Sequence, residues 1–217
     1  MTPTTRPRAI LFDWDNTLVD SWATIHEALN FLMRAMDKPE WSPVETRERV
    51  RHSLRDAFPR IFGERWEEAR EIYLGRFREI HLDRLTPLPG REKMLRALAE
   101  QTFFLGVVSN KTGHLLRREV EWLGWSDWFG SIIGAGDARA DKPAPEPVHL
   151  ALAPSGVPAG DEVWFVGDTA IDMECARNSG CIAVLLGDAT PPQEFAHFAP
   201  RLSFGDEDGL FRALRGL

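Results

Sequence analysis

The chain has 217 residues, 43% hydrophobic and 27% charged, which suits one large domain or one domain with an insertion and is ample for a real core. Its two cysteines, Cys175 and Cys181, exclude a disulfide framework, and no apolar run approaches the roughly 18–20 residues that span a bilayer. The net charge of −7 argues against a general nucleic-acid binder. Residues 21–88 are neutral, with twelve Lys and Arg against twelve acids, so the remainder carries the whole excess.

The first strand is expected at Arg8–Phe12, an apolar run closed by Asp13. That run is too short for a signal segment, so a cytoplasmic protein is expected. Helical periodicity follows over Ala23–Met36, Pro43–Ala57 and Arg65–Asp83, punctuated by Pro39, Pro43, Pro59 with Gly63, and Pro87-Leu88-Pro89-Gly90. A helix over Arg91–Gln101 leads to strands at Phe103–Val108, Ser131–Gly134, Glu162–Val166 and Cys181–Leu186. Helices at His114–Leu123, Glu146–Ala153 and Asp172–Asn178 lie between the later strands, and Arg201–Phe204 adds an edge strand. This alternation predicts an α/β fold with a doubly wound, parallel, Rossmann-like sheet. Roughly 90 residues separate the first two strands, far beyond an ordinary crossover. Residues 21–88 are therefore read as an all-helical insertion after the first strand, and residues 1–20 with 89–217 as the α/β body.

Ligands of open α/β sheets bind at the carboxyl ends of the strands, so the residues following each strand carry the chemistry. They are Asp13-Trp14-Asp15-Asn16-Thr17, Ser109-Asn110-Lys111, Asp141-Lys142-Pro143 and Gly167-Asp168-Thr169-Ala170-Ile171-Asp172. Singly, an Asp after a strand is a helix cap or turn former, and Lys-Pro a plain loop. Jointly, Asp13, Asp15, Asp168 and Asp172 crowd like charges on one rim with no structural gain. A divalent cation such as Mg²⁺ accounts for them, and Ser109 and Lys142 can grip a phosphoryl group.

Asp13-Trp14-Asp15-Asn16-Thr17-Leu18-Val19-Asp20-Ser21 resembles the first motif of the haloacid dehalogenase-like hydrolase superfamily. Ser109, Lys142 and Gly167–Asp172 resemble its second, third and fourth motifs, in order and at fitting distances. Lys142-Pro143-Ala144-Pro145-Glu146-Pro147 is similar to the phosphoglycolate-phosphatase-like branch. Asn16 stands where Gly is common, and Asn tolerates positive φ.

The resemblance implies a Mg²⁺-dependent phosphatase acting on a small phosphate monoester, with phosphoglycolate the substrate the branch suggests. It makes Asp13 the nucleophile that forms an aspartyl-phosphate. Asp15 becomes the acid that protonates the leaving oxygen and then the base for water, a role for which neighbouring carboxylates would raise its proton affinity. Asp13, the carbonyl of Asp15 and Asp168 would hold Mg²⁺, with Asp172 a ligand or the holder of a metal-bound water. Ser109 would bind a phosphoryl oxygen, Asn110 the substrate or the next helix, and Lys142 would keep Asp13 ionised. Thr17 is expected to bond within the nucleophile loop. The resemblance makes residues 21–88 an all-helical cap inserted after the first strand of a catalytic core formed by residues 1–20 and 89–217. In that cap, His52 and Arg55 are candidates for an anionic leaving group, against a reading of most cap arginines as a solvated face.

Dehalogenases lack the second acid of the first motif, here Asp15. Phosphonate hydrolases need a cap lysine, and the cap offers only Lys38. Sugar phosphomutases carry His where this chain has Ile25, with His26 about 100° of helix away. A phospho-accepting receiver domain would be shorter and would carry its Asp after the third strand. A small phosphorylated metabolite is the expected partner, and a monomer or homodimer the expected assembly.

Overall fold

The computed structural model describes residues 6–187 and 194–215. The chain opens with β1 (Ala9–Phe12), buried throughout, and a two-residue strand β2 (Val19–Asp20). Four helices follow: α1 (Trp22–Ala35), α2 (Pro43–Arg49), α3 (Leu54–Phe62) and α4 (Trp66–Ile80). β3 (Thr86–Pro87) then pairs antiparallel with β2, so the chain leaves and re-enters the core through one short ribbon. Beyond it come α5 (Arg91–Ala99), β4 (Phe104–Thr112), α6 (Gly113–Trp122), β5 (Ser131–Ala135) and α7 (Glu146–Leu152). The chain closes with β6 (Val163–Gly167), α8 (Ala170–Asn178), β7 (Ile182–Leu186), β8 (Leu202–Phe204) and α9 (Glu207–Arg215).

Six strands form one sheet in the order β5-β4-β1-β6-β7-β8, every pair parallel. The expected doubly wound α/β architecture is present, with β1 at the centre, where the winding reverses. Alternation of side chains assigns the two faces. Ile10 and Phe12 pack with Met94, Leu98, Leu116, Val120 and Leu214, under α5, α6 and α9. Ala9 and Leu11 pack with Val148, Leu152, Met173 and Ala176, under α7 and α8.

Helices α1 and α4 meet through apolar stripes. Buried Ile25, Ala28, Leu29, Leu32 and Met33 recur at i, i+3, i+4, i+7 and i+8, the spacing of one helix face. Ala69, Tyr73, Leu74 and Phe77 answer from α4, and Leu115 of α6 joins the same cluster.

Two expectations require correction. The helix read over Pro43–Ala57 is two helices. Val50 takes an extended backbone, and Ser53 starts α3 as an extended N-cap whose hydroxyl donates to Asp56 Oδ2 at 3.1 Å. Pro59, read as punctuation, lies inside α3. The sequence reading also missed α9. Acids in its first turn, arginines in its last and buried Leu210 and Leu214 were the available signals.

Candidate active site

Four loops leave the carboxyl ends of β1, β4 and β6 and the connection after β5, and they meet over the centre of the sheet. The β1 loop turns at Asn16 with φ of 63°, the left-handed conformation that Asn tolerates. Asn16 Oδ1 accepts from the Ser21 backbone N–H at 3.2 Å and tightens that turn. The register of β4 shifts between Val108 and Thr112, so Ser109, Asn110 and Lys111 lie on an irregular strand end, a device that re-aims side chains beside active sites. After β6, Gly167 is required by contact: a Cβ there would lie 2.4 Å from Asp172 Cβ.

Carboxylate oxygens of Asp13, Asp168 and Asp172 lie within 4.8 Å of one another. Lys142 Nζ donates to Asp13 Oδ1 and to Asp172 Oδ1, both at 2.7 Å. Asp172 Oδ2 accepts from the backbone N–H and hydroxyl of Thr169, at 3.0 and 2.7 Å, capping α8. The Thr17 hydroxyl donates to Asp168 Oδ1 at 2.8 Å. It therefore crosses to the β6 loop rather than bonding within its own, because the two loops leave neighbouring strands.

Burial pushes the Asp13 carboxyl up to about 7, against the pull of Lys142 and with the help of Asp172. Burial, then Asp172 and Asp13, hold Asp168 well above the usual carboxylate range. Burial disfavours the Lys142 ammonium, yet Asp13 and Asp172 keep it above its ordinary value. One ammonium among three acids leaves excess negative charge of hard oxygen type. That donor set fits a divalent cation.

Ser109 is buried; its oxygen accepts from the Lys111 N–H at 3.2 Å, and it faces the cavity with Asp13 and Asp15. Asn110 also lines the cavity, but its Nδ2 donates to the Lys142 carbonyl at 3.1 Å, so it steadies the lysine's backbone. Asp15 has a lysine among its neighbours as well as carboxylates. The Ser21 hydroxyl and Lys111 Nζ, the latter at 2.7 Å, both bond its Oδ1, while Asp13 lies close enough to feel its charge and Glu119 shares its lysine.

The cavity above these groups measures about 120 Å³. Its upper wall is apolar, from Ile25, Leu54, Tyr73, Leu74, Phe77 and Leu115. His52 lines it; Arg51 does too, with a guanidinium nitrogen 3.1 Å from Glu194. Arg55 lies elsewhere. Its guanidinium bonds Asp141 Oδ1 at 2.5 Å, linking α3 to the loop that carries Lys142.

Sequence reasoning gave no role to Lys111, Glu119, His81 or Trp14, which form one buried network beneath Asp15. Lys111 Nζ donates to Glu119 Oε2 at 2.6 Å, as does Trp14 Nε1, and His81 Nδ1 lies 2.8 Å from Glu119 Oε1. Burial opposes the ionised form of Glu119, yet Lys111, His81 and Trp14 together hold it below the usual carboxylate range. A signal was available: Glu119 stands beside Leu115, Leu116 and Val120 in the buried stripe of α6, where a carboxylate is rare unless paired.

Comparison with known proteins identifies the family. The model of the haloacid dehalogenase-like hydrolase family matches residues 10–186. A phosphoglycolate phosphatase of Chromobacterium violaceum is 29% identical over 189 residues, covering 83% of this chain and 85% of that one. The pyrophosphatase PpaX of Halalkalibacterium halodurans is 26% identical, covering 86% of each chain. A solved structure of a predicted phosphoglycolate phosphatase from Haemophilus somnus superposes with a TM-score of 0.82 at 21% identity, over 96% of this chain and 98% of that one, which shows the shared fold. Among the described residues no helix is long and apolar enough to cross a membrane. The matched span runs from β1 to the end of β7 and takes in all four loops of the site, so the chain belongs to the haloacid dehalogenase-like hydrolases and is a phosphatase of that family.

Proposed function

We propose that this phosphatase is Mg²⁺-dependent and cleaves a small phosphate monoester through an aspartyl-phosphate on Asp13. The observation that carries the reading is Asp13 itself. It lines the cavity with Lys142 on Oδ1, no partner on Oδ2 among the described residues, and Asp168 and Asp172 within 4.8 Å. Asp13, Asp168 and the Asp15 carbonyl would hold Mg²⁺, which when bound neutralises charge on the phosphoryl oxygens. Both oxygens of Asp172 already accept from protein donors, so it would act one shell out, orienting Lys142.

In the first step Asp13 Oδ2 bonds phosphorus as the bond to the leaving oxygen breaks, and the Asp15 carboxyl gives that oxygen its proton. In the second, water attacks phosphorus and gives its proton to Asp15 as the bond to Asp13 breaks. Ser109 and Lys142 steady the phosphoryl oxygens throughout. Ile25 lines the cavity where a mutase would need its histidine, while His26 Nδ1 lies 2.9 Å from Thr46 Oγ1, which supports hydrolysis over phosphoryl exchange between sugars.

The test is a trap. Asp15→Asn with p-nitrophenyl phosphate should accumulate an acid-stable, hydroxylamine-labile adduct on the peptide containing Asp13, and Asp13→Asn should form none. An adduct on Asp168, or substantial turnover by Asp13→Asn, would reassign the nucleophile.

The relatives' names make phosphoglycolate the first ester to assay. The cavity wall favours a second reading, an ester with a small neutral leaving group. The wall is apolar, and the cations that line it, Lys142, Lys111 and Arg51, each face a carboxylate. A panel of glycolate, glycerol and phenyl phosphates compared by kcat/KM decides between them.

A further inference from the structure

Two lysines lie beneath the cavity, and each bridges two carboxylates. Lys142 joins Asp13 to Asp172, and Lys111 joins Asp15 to Glu119. The second bridge is the unexplained one. Glu119 is 1% exposed. An ion pair that deep is a poor stabilising device, because desolvation roughly cancels the attraction and apolar side chains of similar volume do as well. Packing alone would fill this position with a leucine.

The contacts show what the charge does. Glu119 is held at both oxygens by donors from three separate parts of the chain: Trp14 in the nucleophile loop, Lys111 at the end of β4, and His81 at the end of α4. It is a fixed anion. Lys111 in turn has its Nζ on Glu119, on Asp15 Oδ1, and 5.0 Å from the centre of the Phe77 ring. Lys111 and the Ser21 hydroxyl both take Asp15 by Oδ1. Oδ2 has no partner among the described residues, and Asp15 lines the cavity. A carboxylate held by one oxygen presents the other in a single orientation, and proton transfer depends on that aim.

We propose that Lys111 and Glu119 are positioning residues for Asp15. Glu119, locked by His81 and Trp14, seats the Lys111 ammonium on Asp15 Oδ1, so that Oδ2 alone meets the leaving oxygen and then the attacking water. This rests on the reading of Asp15 as proton donor and base. His81 belongs to the helices between β2 and β3 and Glu119 to the core, so the lock is complete only while α4 is seated on α6.

The test compares p-nitrophenyl phosphate, whose leaving group needs little protonation, with phenyl phosphate, which has nearly the same shape and needs more. The double variant Lys111→Met/Glu119→Gln removes one charge of each sign together. Glu119→Gln alone is the milder companion should the double variant fail to fold, and circular dichroism checks both. Single-turnover phosphorylation by p-nitrophenyl phosphate should stay within a few-fold of wild type. With phenyl phosphate it should fall on the order of 10²-fold, and the phosphoenzyme should outlive that of wild type. Equal losses on the two esters, with a phosphoenzyme of normal lifetime, would overturn the proposal and leave the network a packing feature. Asp15→Asn is the reference. If it fails to separate the esters, the acid–base reading of Asp15 falls; if it separates them and the network variants do not, only the positioning role falls.

Discussion

Asp13 is pulled two ways, by burial that favours its proton and by Lys142 that favours its charge. Lys142→Met should abolish turnover and destabilise the protein by about 3–5 kcal/mol, the usual cost of leaving a buried charge without its partner. Adding Mg²⁺ should recover part of that loss by supplying positive charge to the same oxygens. Thermal unfolding with and without Mg²⁺ checks this, and an unchanged midpoint in the metal-free variant would show that Lys142 does not balance the cluster. Lys142 was legible in the sequence because it lies beside a proline after a strand, in the company of acids. Lys111 stood two residues after Ser109 in equally plain view, but its role depends on Glu119 and His81, which are remote in sequence and meet it only in the folded chain.

The helices α3 and α6 tie the segment between β2 and β3 to the six-stranded sheet and its loops. Arg55 of α3 bonds Asp141, which is 4% exposed and next in sequence to Lys142. Arg55→Ala would leave that carboxylate with one N–H partner, from Gly136. The expected result is a loss in kcat/KM of the same size for phosphoglycolate and p-nitrophenyl phosphate, on the order of 1.5–3 kcal/mol for one charge-assisted contact. A loss confined to the anionic leaving group would instead return Arg55 to the role of substrate contact. Periodicity identified the stripes of α1 and α4, since it reports which face is buried. It ran α2 into α3 because the break at Val50–Ser53 is a change of backbone direction that leaves the apolar pattern nearly continuous.

The whole molecule carries its net charge of −7 outside residues 21–88, and three of those acids share one small volume. Without metal, Asp13 holds its proton up to about pH 7. Its folded value lies above the ordinary carboxylate value, so its contribution to stability is present at low pH and is lost as pH rises from about 4 to about 7. A cation needs the ionised form, so binding releases this proton and strengthens across the same range. The Mg²⁺-induced rise in unfolding midpoint should therefore be larger at pH 8 than at pH 6, and EDTA should remove it at both. Calorimetry at the two pH values checks this; an equal shift at both would mean that Asp13 is not a ligand.

The sequence by itself determined the parallel α/β class and brought Asp13, Asp15, Ser109, Lys142, Asp168 and Asp172 forward as candidate site residues at the strand ends. These are local facts: periodicity, turn residues and the few side chains that follow each strand. Only the tertiary structure decided what each group touches. It turned Arg55 toward Asp141, gave Asp172 to Thr169 and Lys142, and set Asp15 Oδ1 on Lys111. The reason is that a side chain's reach is a few ångströms, and which groups fall within it is settled by how β1, β4, α4 and α6 pack together. No single one of those elements encodes that packing.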